Sequence, residues 1–206
     1  MKHLTSRRLA ALTLALTLGA PMVASAALPS GIPASGTLSY DVIRKGDKIG
    51  TETIRFHPNG DALSVELSTD ISVKLPVVRV EAYRFHQKST ESWKGETLVS
   101  IASKTDDNGK PHDISMAGNG LVPASLWNPA TVRAGTVMNT IDGHAMKLPV
   151  QKIGEEMVSV GGSQQHATHY RTSGELARDL WYGMDGELLK VTLKADDGSE
   201  VEYDLH

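Results

Sequence analysis

Histidine offers this sequence its widest choice of chemistry, and spacing decides how much of that choice survives. Eight are present; apart from His3, near the N-terminus, the closest pair is His166 and His169. On a helix, positions three apart could ligate one metal ion. The surrounding residues alternate as in a strand, where such positions face opposite sides. Cysteine is absent, so a zinc site would need His57, His86, His112 or His144 to converge by folding. The acidic turn Asp106-Asp107-Asn108-Gly109-Lys110 lacks the ligand spacing of a calcium loop. No metal ligands are assigned, and no cofactor.

Nucleophilic chemistry has no better footing. No Gly-x-Ser-x-Gly elbow occurs. Ser163 follows Gly161-Gly162, but no histidine and acid can be matched to it. Gly118-Asn119-Gly120 is not a phosphate cradle, because no Lys-Ser/Thr follows it. No catalytic residue is assigned, and an enzyme is the weaker expectation.

Large rings are more informative because they are scarce: aromatic residues make up 5% of the chain. Rings bury large areas and often line ligand hollows. Trp127, Trp93, Trp181 and Tyr83 are therefore the candidate ligand-binding aromatics, with ordinary core packing as the alternative for each. Trp127 stands out because its segment is not strand-like. Arg84 follows Tyr83 on a strand, so the two face opposite ways. An arginine entering a hollow would need an anionic partner, either a ligand carboxylate or phosphate or a core pair with Glu81 or Glu91.

These residues are carried by strands. From Arg178 to Leu205, apolar and polar residues alternate through three segments. The last two are Leu189, Val191, Leu193 and Ala195, then Val201, Tyr203 and Leu205. Asp185-Gly186 and Asp197-Gly198 mark the turns. Leu63, Val65, Leu67, Ile71, Val73 and Leu75 form the clearest series, interrupted only by Thr69. Thirteen residues at about 3.3 Å each would span roughly 40 Å. A strand that long must curl, and Pro76 with the parity change after Val77 suggests a bulge. GNGLVPASLWNPA, residues 118–130, is bounded by glycine and proline. Pro123 can open a helical turn there and Pro129 close it. The expected fold is all-β: a single antiparallel, strongly curved sheet or open half-barrel of about nine to eleven strands, with one short helical segment near 121–128. Trp127 would plug or cover its concave side.

The first 26 residues read as an export signal. Lys2, Arg7 and Arg8 precede an apolar run from Leu9 to Gly19 that is too short to span a bilayer. Ala24-Ser25-Ala26 fits a cleavage site, so cleavage is expected after Ala26. Ser6-Arg7-Arg8-Leu9 leaves twin-arginine export open beside the general secretory route. Residues 27–36, rich in Pro, Gly and Ser, read as a flexible lead-in to one β domain over 37–206. Past residue 26 the chain holds 18 basic and 24 acidic residues, a net −6. That sign argues against nucleic acid or an anionic membrane surface as the main partner. No later segment approaches a membrane span, and the expected location is the periplasm.

GTLSYDVIRKGDKIG, ESWKGETLVSIASKTDDNGK, SLWNP and LWYGMDGELLKVTLKADDGSEVEYDL together resemble a family of exported β-rich bacterial proteins of unknown function. More distantly, that family is similar to the periplasmic lipoprotein carriers LolA and LolB, which hold acyl chains in an incomplete barrel. The resemblance implies a fold and no catalytic residue. Three readings follow. The first is a binding or carrier module for an apolar or amphiphilic, lipid-like ligand on the concave face. The others are a structural or interaction protein with an envelope-protein partner, and an enzyme without a recognisable motif.

Overall fold

The computed structural model describes residues 27–74 and 81–206. The leader and the Pro76 bend lie outside the described residues. The strands are β1 (Thr37–Arg44), β2 (Asp47–Asn59), β3 (Ala62–Lys74), β4 (Glu81–Lys94), β5 (Thr97–Asp107) and β6 (Lys110–Ala117), then β7 (Val122–Pro123), helix α1 (Thr131–Ala134), β8 (Thr136–Met138), β9 (Ala145–Lys147), β10 (Val150–Val160), β11 (Ser163–Thr172), β12 (Asp179–Gly183), β13 (Leu188–Lys194) and β14 (Glu200–Leu205). A 3-10 turn, Gly174–Leu176, precedes β12.

Eleven strands form one antiparallel sheet in the order β10-β11-β12-β13-β14-β1-β2-β3-β4-β5-β6. The two ends of the β domain therefore meet at its middle, where β1 pairs with β14. β10 and β6 are its two edges, and the sheet does not close between them. Period-two alternation sets the buried face: Leu63, Val65, Leu67, Thr69 and Ile71 of β3 all point inward. Hairpin turns fix the register. Lys45-Gly46 and Asn108-Gly109 have positive φ at both residues, as a two-residue type I′ turn demands. Bulges at Val42/Ile43, Ser92/Trp93 and Trp181/Tyr182 increase the local twist. Curvature shows in the core itself, where Leu98 and Ile101 of β5 share one cluster with Leu180 and Tyr182 of β12.

The chain between the two edges fills the concavity. Residues 118–149 hold a small sheet in the order β7-β8-β9 and form a plug. Trp127 at its tip is 0% exposed and meets Phe56 and Trp93 edge-to-face, at 5.2 and 5.5 Å. Tyr182 Oη donates to the Leu126 carbonyl at 2.6 Å, tying the plug to β12 as well.

The short helix is displaced from its expected place: it spans Thr131–Ala134 rather than 121–128. Val122–Pro123 instead pairs in parallel with Val137–Met138. Pro129 comes before the helical turn, where a missing N–H costs nothing, and Asn128 Oδ1 accepts the Ala130 N–H at 2.9 Å. The lead-in 27–36 carries no strand or helix, yet Pro29, Gly31 and Pro33 are buried. Gly31 donates to the Asp185 carbonyl at 3.1 Å. With φ at +90°, a Cβ there would come 2.6 Å from the Gly186 carbonyl oxygen and 2.8 Å from that of Trp127.

Candidate binding hollow

The inner face changes character along its strands. Toward the Phe56–Trp93 end it is packed solid by the plug. Toward the other end Thr69, Ser103 and Thr105 are buried on the same face. There the plug stands away from the sheet and leaves a hollow of about 210 Å³.

Its polar lining starts at Glu52 of β2. Glu52 shares parity with Ile54 and Phe56, so it points inward, and it pairs across the ladder with Thr69. The Thr69 hydroxyl donates to Glu52 Oε2 at 2.8 Å. Burial pushes the Glu52 carboxyl above its ordinary range, against the opposing pull of the Thr69 hydroxyl and the Arg178 charge. Gln87 of β4 donates to Thr105 Oγ1 at 2.9 Å and to the plug's Thr140 carbonyl at 3.3 Å.

Arg178 closes the hollow from the connection between the 3-10 turn and β12. Its backbone is held by Thr172: the Arg178 N–H donates to Thr172 Oγ1 at 3.0 Å and its carbonyl accepts the Thr172 N–H at 2.8 Å. The guanidinium Nε is buried and has no hydrogen-bond partner among the described residues. Tyr203, also in the lining, has its hydroxyl pushed up by burial and then by Glu52, while Arg178 pulls it back. Leu67, Phe85, Leu188 and Val191, interspersed among these groups, supply the apolar part of the lining.

A charged arginine, a buried carboxyl and several amide and hydroxyl groups set among apolar side chains can hold a small molecule with one polar end. They show no nucleophile paired with a base. Over residues 40–206 the sequence matches the family described as a domain of unknown function, DUF6134. The chain belongs to that family. No curated protein matches it. Its fold is similar to the crystal structure of a β-barrel-like protein of domain of unknown function DUF1849 from Brucella abortus. The TM-score is 0.50 at 11% identity, over 89% of this chain and 99% of that one. At that identity the likeness concerns the fold alone.

Within this DUF6134 domain the residues singled out by sequence are dispersed. Trp93 and Trp127 come together, both indole N–H groups donating to Glu91 Oε2 at 3.0 Å. They lie in the packed end and not in the hollow's lining. Trp181 lies on the opposite face of the sheet, stacked on His169 at 4.3 Å, with Lys190 Nζ 5.7 Å from its ring centre. Its N–H donates to Glu156. His169 reaches Glu156 at 3.0 Å and Asp179 at 2.6 Å, and Lys190 reaches Glu202 at 2.6 Å. A groove of about 410 Å³ runs beside this ladder, but these charges already have partners within the chain. Tyr83 is 38% exposed, its hydroxyl 3.4 Å from Asp107 and pushed up to about 12 by burial and then Asp107. Arg84 points the other way, as adjacent strand residues must, and meets Asp106 at 3.0 Å and Glu81 at 3.5 Å. His166 is exposed, whereas His169 is buried. No metal-binding group of three or more His, Cys, Asp or Glu residues occurs among the described residues.

The arginine that does enter the concavity is Arg178. Neither it nor Glu52 was singled out by sequence. The signal for Glu52 was its inward parity beside Ile54 and Phe56, opposite the one polar break in the β3 series.

Proposed function

We propose that this domain is a binding module for a small amphiphilic molecule, held in the hollow between plug and sheet. One observation carries the reading: a partly open hollow whose lining mixes polar side chains, Glu52, Gln87, Arg178 and Tyr203, with apolar ones, Leu67, Phe85, Leu188 and Val191. Glu52, Gln87 and Tyr203 stand on paired strands of the sheet and Arg178 is held by backbone bonds to Thr172. The polar groups therefore have their places before any ligand arrives, which lowers the ordering cost of binding. Size limits the ligand. The hollow of about 210 Å³ is below the roughly 300–1,000 Å³ of clefts for drug-sized ligands. The plug, with Trp127 wholly buried, fills the rest of the concave face. A long acyl chain lying along that face, as in a lipid carrier, would have to displace the plug. A short tail with a polar head needs no such movement.

Native mass spectrometry on protein isolated from cells expressing the full chain, followed by calorimetric titration with six-carbon amphiphiles, tests the reading. A small bound mass, or saturable binding that Leu67→Trp blocks by filling the hollow, is the expected result. Absence of both sinks it.

A second reading rests on the sheet's open edges. β10 and β6 present unpaired backbone groups, and Ile153 and Met157 on β10 are exposed. An envelope protein adding a strand there would make the domain a docking element. Export to the periplasm is part of both proposals. Fractionation of cells expressing the full chain, with N-terminal sequencing of the product, checks it through cleavage after Ala26.

A further inference from the structure

We infer that the ligand enters by a carboxylate head, with Arg178 as its counter-charge and Glu52 as the group that sets when that charge is available. The inference rests on the binding reading above and specifies its chemistry.

Among the described residues, Arg178 is the one cationic side chain in the lining. Its position is fixed by two backbone bonds to Thr172, and its Nε is buried without a partner. The Tyr203 hydroxyl lies within reach of the same guanidinium, and a ligand carboxylate would add a bond with charge on both partners, stronger than one to a neutral hydroxyl. Guanidinium is a planar fork that matches a carboxylate with two parallel hydrogen bonds.

Charge balance selects the class of anion. The titratable groups facing Arg178 are Glu52 on β2, Tyr203 on β14, Glu175 on the 3-10 turn and, through space from the rim, Tyr83 on β4 with Asp107 behind it. Both tyrosine hydroxyls are pushed up by burial and stay neutral. Glu175 is engaged with His144 at 3.0 Å. Inside the hollow Glu52 is left as the variable charge, while the Glu175–His144 pair titrates at the mouth, above the ordinary imidazole value. Protonated, Glu52 does not compensate the Arg178 charge and offers an O–H that can donate to the ligand. Ionised, it cancels that charge and repels an anion. A phosphate, which gains its second charge as pH rises past about 6, would face this repulsion more strongly than a carboxylate once Glu52 is ionised.

The sign of the pH dependence follows. Burial raises the Glu52 carboxyl above the ordinary glutamate value of about 4.3, near which a free aliphatic acid also titrates. Between those two values the ligand is ionised while Glu52 is still protonated, and affinity is greatest there. It falls at higher pH as Glu52 ionises, and at lower pH as the ligand takes up its proton.

Calorimetric titration of the full protein with hexanoate, hexan-1-ol and hexyl phosphate, from pH 4 to 8, tests this. Hexanoate should bind best, with a bell-shaped pH profile. Arg178→Gln should weaken it by at least about tenfold, the equivalent of one charge-assisted hydrogen bond, and weaken hexan-1-ol, which carries no charge, by much less. Arg178→Lys keeps the charge without the fork and should fall between, which guards against a folding defect in the glutamine variant. Glu52→Gln should remove the loss of affinity at higher pH. Equal binding of hexanoate and hexan-1-ol, unaffected by Arg178→Gln, overturns the carboxylate head and leaves the amphiphile hollow standing. Hexyl phosphate binding as tightly as hexanoate overturns the selection by charge. No binding of any of the three sinks both this inference and the reading beneath it.

Discussion

Glu91 and Glu52 occupy the same kind of position, inward-facing on a central strand, and their surroundings could hardly be less alike. Glu91 is 0% exposed and sits among Phe56, Trp93 and Trp127, with two indole N–H groups on one of its oxygens. Its other oxygen has no hydrogen-bond partner among the described residues, although the nearby Ser125 hydroxyl favours the ionised form. Burial still dominates and pushes the carboxyl up. Glu52 has one hydroxyl partner, open space beside it and the Arg178 charge nearby. A buried polar group surrounded by partners from another segment locks that segment in place. One that faces unfilled volume is available to something outside the chain. The first arrangement makes the plug a fixed part of the fold, and the second makes the hollow a site.

The strongest break in that comparison is Trp127→Ala. It removes a wholly buried indole, two edge-to-face contacts and one of the hydrogen bonds to Glu91. The expected loss is about 3–5 kcal/mol of unfolding free energy, read from urea denaturation, with ligand binding lost alongside. A loss under about 1 kcal/mol would mean that the plug is held by something other than its tip.

Glu91 itself separates two causes of stability. Glu91→Ala leaves two buried indole N–H groups unpaired and should cost about 2–4 kcal/mol. Glu91→Gln keeps an oxygen for both indoles and removes the titrating group. Because the folded carboxyl is raised, its stabilising share is fully present below the unfolded value of about 4.3 and is lost as pH rises through the folded value. The glutamine variant should therefore lose less stability than the native protein between pH 4 and 8. If the two pH profiles coincide, the carboxyl at the aromatic end is not perturbed as its burial implies.

Much of this fold was legible in the residues because period two is a strong signal when one face is buried. The thirteen-residue β3, the closing meander and the glycine turns follow directly from alternation and from positions that need positive φ. The plug was legible as a segment that did not alternate, but its internal structure was not. Pro123 and Pro129 suit a helix start and a strand edge equally well, and only packing against Val137–Met138 decides between them. The site was half visible. Scarce rings pointed to the concave face, yet Trp93 and Trp127 went to seal it, since large apolar area is most useful where no space remains. Arg178 could not be found by pattern, because it lies on a connection between elements, where parity assigns no face.

The smallest effect concerns the hollow's mouth. His144, on the plug loop, reaches Asp142 at 2.6 Å and Glu175 at 3.0 Å. That contact links the loop carrying Asn139–Ile141 to the one carrying Arg178, and both line the hollow. The Asp142 and then the Glu175 hydrogen bonds hold the imidazole above its usual range, so the clasp is complete below about pH 6.5 and loosens as pH rises through the raised value. All three side chains are solvent-exposed, and exposed ion pairs contribute little to global stability. His144→Ala should therefore leave the urea midpoint unchanged while amide exchange at Ser173–Arg178 becomes faster. The His144 ring proton, followed by NMR, should titrate above the ordinary imidazole value. A ring that titrates at or below that value, or exchange that stays the same, would show that the two sides of the mouth are joined by the Leu176 packing against Met146 and Leu148 instead.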